Sequence, residues 1–217
     1  MRRASSWAAR TGTGWPSRST RPGHSLTAAD LVPGFVPETD VERALARDPV
    51  MLEGWAWGAP RRGHPEGSVG RHVADLLEQL QRWDETGERR TELRFISLVH
   101  DTLKFAVSPW MLRVGENHHA MRARRFAEAY TTDERLLVTI ELHDRPYYLW
   151  RTKWIFRRSE RRGLEVLNRR VDDAELFVRF IELDGSTEGK NPEPIEWFKQ
   201  QMAARGRIAP TGQQAPR

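Results

Sequence analysis

The run RFISLVHDTLKF, residues 94–105, sets a histidine and an aspartate side by side within an apolar stripe. Leu93, Ile96, Val99, Leu103 and Val107 recur at spacings of three and four, and His100 falls on the same face. That pattern predicts a buried helix over 92–107. A bare carboxylate beside such a stripe is costly to bury, so Asp101 needs a partner such as a metal cation. Lys104 follows Asp101 by three residues, one turn on, where it can meet a bound anion.

The remaining pattern is helical as well. Thr39 or Asp40 can cap a short helix over 37–47. After the turn GHPEG, Val69, His72, Val73, Leu76, Leu77 and Leu80 form one stripe. Ser108-Pro109 ends the central helix, and further helices are predicted over about 117–130, 133–143, 147–158, 161–170, 173–184 and 195–204. No alternating strands with hairpin turns and no internal repeat appear. The expected fold is all-α, a helical bundle spanning 37–204. Residues 1–36, rich in Arg, Ser, Gly and Pro, and residues 205–217 read as disordered tails.

Composition narrows the chemistry. The chain has no cysteine, so a metal site must be built from imidazole and carboxylate, which suits Mn, Fe, Mg, Co, Ni or Zn. The basicity sits in the tails: residues 1–36 hold five Arg against Asp30, and 205–217 hold three Arg and no acid. The stretch between them is slightly acidic, which argues against nucleic acid as partner. No apolar run reaches the roughly 20 residues that span a bilayer, and no export signal is apparent. A cytoplasmic protein without a membrane partner is therefore expected. Oligomeric state is not legible.

His72, His143 and Asp184 each follow apolar residues at helical spacing, so each faces inward on its own helix. A hydrogen-bonded core histidine explains any one of them alone. Clustering around metal explains all of them together with His100-Asp101. In the pair His118-His119, periodicity favours His119, because Ala123, Phe126 and Tyr130 follow it on one face.

This ordered set resembles the HD-domain superfamily of metal-dependent phosphohydrolases. That family has a His on one helix, the HD pair on a second and a distant Asp on a late helix; its bimetallic branch adds two His between. The resemblance implies His72, His100, Asp101, His118, His143 and Asp184 as metal ligands, with His119 a substrate contact. Lys104 stands where the family has a Lys, although HDTLK has Leu103 in place of the commoner Gly. The segment HPEGSVGRH is similar to the lead-in to the HD domain of bacterial tRNA nucleotidyltransferases, whose separate catalytic head this chain has no room for. The family's activity implies one or two divalent ions, a metal-bound hydroxide attacking phosphorus, and Asp101 and Lys104 as the catalytic pair. The substrate implied is a nucleotide or another small phosphate ester. Arg71, Arg122, His64 and Glu66 are candidate substrate contacts. Two alternatives share the ligand set: a di-iron oxygenase of the same superfamily, and a non-catalytic HD protein that binds a nucleotide and regulates a partner.

Overall fold

The computed structural model describes residues 26–61, 65–153, 157–187 and 189–210. Among them the chain is helical without strands; a lone antiparallel bridge, Gly58 to Ser68, stands outside the helices. The helices are α1 Ala28–Leu31, α2 Asp40–Leu45, α3 Pro49–Ala56, α4 Val69–Arg82, α5 Gly87–Val99, α6 His119–Ala127, α7 Glu134–Leu142, α8 Arg145–Thr152, α9 Arg157–Arg170, α10 Ala174–Gly185 and α11 Glu193–Ala203. Several starts follow directly from sequence. Thr39, Ser68, Asp133 and Asp173 each accept a backbone N–H in the first turn of their helix.

Helix α5 is the centre of the bundle. Every residue from Glu92 to Val99 is buried, which is the signature of a helix surrounded on all sides. Helices α4, α7 and α10 pack against it. Buried charge on this helix is matched: Arg94 grips Glu42 with two bonds of 2.8 Å, and Glu92 lies 3.0 Å from Arg89 and 2.9 Å from Arg135.

The central helix does not run to Val107 as its periodicity predicts. It stops at Val99 with His100 as its C-cap, and a separate 3-10 helix, Thr102–Ala106, follows. The carbonyl of Leu98 is taken by the Trp55 indole N–H at 3.1 Å and the Thr102 hydroxyl at 2.8 Å, so side chains replace the helix's own donors there. Helix α3 lies directly on this turn: a Cβ at Gly54 would stand 2.2 Å from the Thr102 carbonyl oxygen. Gly54→Ala is therefore expected to lower stability by about 1–3 kcal/mol through overpacking, read by urea denaturation, and to disturb the turn that aims Asp101.

Both boundaries of the ordered chain move outward. Residues 26–36, expected in the disordered extension, form α1 behind a Thr27–Asp30 capping box and carry Val32 and Phe35 into the core. At the other end, the Arg207 guanidinium donates to the carbonyls of Asn168, Val171 and Asp172, and Ile208 packs on the core. The remaining parts of the two expected tails, residues 1–25 and 211–217, lie outside the described residues. No helix among the described residues is long and apolar enough to cross a membrane.

Candidate metal centre

Two histidines end helices in the same way. His100 caps α5 and His143 caps α7, and each ring sits against the carbonyl three residues earlier: His100 Nδ1 on Ser97 at 3.1 Å, His143 Nδ1 on Ile140 at 2.8 Å. A carbonyl can only accept, so Nδ1 carries the proton and Nε2 faces the interior. Fixing a ring through its outer nitrogen is how proteins orient metal-binding histidine. His100 Nε2 is buried without a hydrogen-bond partner, as is Asp101 Oδ1. Orphaned buried polar atoms of this kind require an explanation.

Asp101 stands between two sets of donors. On one side His100 Nε2 lies 3.4 Å from Asp101 Oδ2 and 3.8 Å from Asp184 Oδ1. His72 Nε2 lies 2.9 Å from the same Asp184 oxygen. On the other side His119 Nε2 is 3.3 Å and His143 Nε2 is 3.6 Å from Asp101 Oδ1. Asp144 closes that side, 3.1 Å from His119 and 3.5 Å from His143. Donors about 2.1 Å from one ion lie roughly 3–3.4 Å apart, so these spacings fit a cation on each side of Asp101. The groups His72, His100 and Asp101; Asp101, His119 and His143; and His118, His119 and Asp144 can each hold a metal ion.

Protons and lysines sit where positive charge is wanted. Burial alone would raise Asp101, but Lys104 and His100 hold its carboxyl well below the usual range. Lys190 and His72 do the same for Asp184. Lys104 pairs with Asp101 Oδ2, and Lys190 Nζ reaches Asp184 Oδ1 at 2.9 Å and its carbonyl at 2.6 Å. Burial pulls His143 down, yet Asp144 and Asp101 carry it up to about 9. His119 is raised against burial by the same two carboxylates. His72 goes the other way, lowered mainly by burial.

The cavity beside the centre has a volume of about 790 Å³. Asp101, Lys104, His118, His143, Asp144 and Asp184 open onto it, and Lys190, Arg151, Tyr147 and Tyr148 line it too. It is therefore large enough for a small organic ligand.

Set against the sequence expectations, His72, His100, Asp101, His143 and Asp184 converge as one cluster. His118 does not join the Asp101 donors. It is the N-cap of α6, its Nδ1 accepting the Ala120 N–H at 3.3 Å, and it stacks on His119 at the cavity edge. His119, the first helical residue, points its Nε2 at Asp101 instead, as periodicity favours. Both stay within reach of a metal: His118 groups with His119 and Asp144, and His119 also with Asp101 and His143. Arg71 is exposed and lines a different cavity, with Glu38 and Glu78. Arg122 does not line the cavity beside the centre. Glu66 lies 4.0 Å from His72 Nδ1 and shares a small cleft with His72, Asp101 and Lys104. His64 lies outside the described residues.

Asp144 and Lys190 were not anticipated. A second His-Asp dipeptide at a helix end, His143-Asp144 repeating His100-Asp101, was the available signal for the first. Lys190 lies on the α10–α11 connection, where no local pattern marks it. Comparison with protein-family models, with curated proteins and with solved structures finds no match. The fold and the site thus define an all-α protein whose buried His/Asp cluster can bind metal and is compatible with an HD-type site.

Proposed function

We propose that this chain is an HD-type, metal-dependent phosphohydrolase acting on a small phosphate ester, a nucleotide among the candidates. The observation that carries the reading is His100 Nε2, buried without a hydrogen-bond partner and oriented through Nδ1, beside the Asp101 carboxylate, which opens onto a cavity lined by two lysines. His72, His100, Asp101 and Asp184 would hold one cation; Asp101, His119, His143 and Asp144 would hold a second. When bound, the cations supply Lewis acidity toward a water and a phosphoryl oxygen.

The reaction adds water across a P–O ester bond: the water oxygen ends on phosphorus, and the leaving oxygen departs with a proton. Within the protein, Asp101 serves both halves of the centre through its two oxygens. Lys104 pairs with Asp101. With the carboxylate engaged by a cation, the Lys104 ammonium would neutralise a phosphate oxygen at the cavity wall. Lys190 stands in the same relation to Asp184. Arg151 adds a third positive side chain to the lining, and guanidinium suits a phosphate fork.

The test is metal analysis of the purified protein together with hydrolysis of nucleotides and simple phosphate esters under added Mn, Fe, Mg, Co, Ni or Zn. Metal-dependent phosphate release is the expected outcome. Lys104→Ala should retain metal and lose turnover by about 10²–10³-fold, the size of one transition-state electrostatic contact. Metal uptake accompanied by oxygen consumption, with no phosphate released, would transfer the chain to the oxygenase alternative. Failure to bind any of these metals removes the reading altogether.

A further inference from the structure

One loop, running between two residues that line the cavity, Lys104 and His118, exposes large apolar side chains. Trp110 is 92%, Leu112 83%, Val114 66% and Met111 63% exposed, all within one loop between the 3-10 helix that carries Lys104 and the start of α6. That loop is braced from beneath. The buried Asn117 side chain accepts from the Ser108 N–H at 2.9 Å and donates to the carbonyls of Ser108, Met111 and Leu112 at 3.1–3.2 Å. A fixed backbone thus holds four apolar side chains outward, and such a display is unusual unless it binds something.

A second apolar segment faces the same opening. Tyr147 and Tyr148, half exposed, follow Asp144 at the start of α8 and line the cavity with His118. His118, His119 and Asp144 lie within metal-binding reach of one another, and the elements at the two ends of the loop contribute Lys104 and His118 to the same cavity as these tyrosines. The charges of the two segments agree in sign. Residues 108–117 and 145–153 carry Arg113, Arg145, Arg151 and Lys153 against Glu116 alone, and Glu116 lies 3.7 Å from Arg125. Projecting Trp, Leu, Met and Tyr interleaved with cations are the side chains that settle at the boundary of an anionic bilayer. The sequence expectation of no membrane partner rests on the lack of a spanning run, which a surface contact does not need.

We propose that this rim seats the cavity mouth on an anionic lipid surface, and that the phosphate ester reaching the centre is an amphiphile drawn from that surface. The second clause rests on the phosphohydrolase reading; the first does not. Sedimentation of the full chain with vesicles of phosphatidylcholine, and of phosphatidylcholine mixed with phosphatidylglycerol, tests it. Wild type should sediment with the mixed vesicles. Trp110→Ser/Leu112→Ser should lower the partition coefficient by about tenfold or more, and Arg113→Gln should weaken binding to the anionic vesicles alone. These side chains are exposed, so the variants should retain the wild-type circular dichroism and melting temperature.

Absence of sedimentation overturns the proposal. Equal sedimentation of wild type and the double variant does so too, because binding would then come from the net charge of +5 and not from the rim. A wild type that dimerises through the rim, with a monomeric double variant and no vesicle binding, assigns the surface to a second copy and also overturns it. Vesicle binding requires neither metal nor turnover. Turnover of soluble esters without vesicle binding therefore sinks the lipid proposal alone, whereas vesicle binding without metal uptake leaves docking standing and sinks the phosphohydrolase reading.

Discussion

Asp101→Ala is expected to strip the centre of metal and to abolish any metal-dependent phosphate release. Its two oxygens are the shared element of the cluster, Oδ2 facing His100 and Lys104, and Oδ1 facing His119 and His143. Removing a partner that merely orients a ligand costs 10–100-fold in metal affinity; loss of a direct ligand common to both halves should exceed about 100-fold. Isothermal titration with Mn or Zn, and elemental analysis of the purified variant, read this directly. Considered from sequence alone, deleting a buried carboxylate paired only with metal can stabilise the metal-free form. The structure reverses that sign. Lys104 and the raised histidines are paired with this carboxylate, so the variant leaves buried cations uncompensated. It should melt below the metal-free wild type, by a ΔΔG of about 3 kcal/mol. Asp101→Asn, nearly isosteric, separates the ligand effect from any packing defect. Unchanged metal uptake in both variants would remove Asp101 from the centre.

The parts of this site that periodicity reveals are those whose side chains lie on regular helices. His72 sits in the α4 stripe of Val69, Val73, Leu76 and Leu80, all of which are buried, and the helix alone decides which way it faces. Asp184 is placed on α10 in the same way, after Phe177 and Ile181. The central stripe puts His100 in the interior, but the same stripe wrongly extends the helix to Val107. Its break depends on contacts from a distant segment, Trp55 and Gly54 on α3, and α3 itself carries too weak a pattern to be anticipated. Lys104 reaches Asp101 regardless, because a 3-10 turn also brings residues three apart together.

Helix ends account for most of what was hidden. His118 and His119 differ by a single position, yet one caps α6 and the other begins it. The helical period directs His119 toward Asp101, and a motif read by order alone does not distinguish the two. Asp144 stands between the end of α7 and the start of α8, where neither helix's stripe covers it. Lys190 arrives through the turn after α10, and its partner Asp184 is six residues away. The exposure of Trp110, Met111, Leu112 and Val114 likewise has no mark in the sequence, because it depends on Asn117 bracing the loop from beneath.

Metal affinity should rise steeply with pH between about 6.5 and 9. The Nε2 lone pairs of His143 and His119 face Asp101, but in the metal-free protein both rings are raised above the ordinary histidine value, His143 up to about 9. A cation can take these nitrogens only by displacing their protons. Each displaced proton adds about one log unit of affinity per pH unit, so one histidine alone gives roughly 100-fold between pH 6.5 and 8.5. Calorimetric titration in buffers of different ionisation enthalpy counts the protons released, and His143→Gln should lower the count by one. The stability of the metal-free protein moves in the opposite direction. His143 has its folded pKa above its unfolded value, so its contribution is complete below about 6.5 and is lost as pH rises through 9, on the order of 3 kcal/mol. The metal-free protein should therefore melt lower at pH 9.5 than at pH 6, while the loaded protein, with a cation in place of those protons, should not. Proton release near zero and pH-independent affinity would place the metal elsewhere, because no cation can bind to these two rings and leave their protons in place.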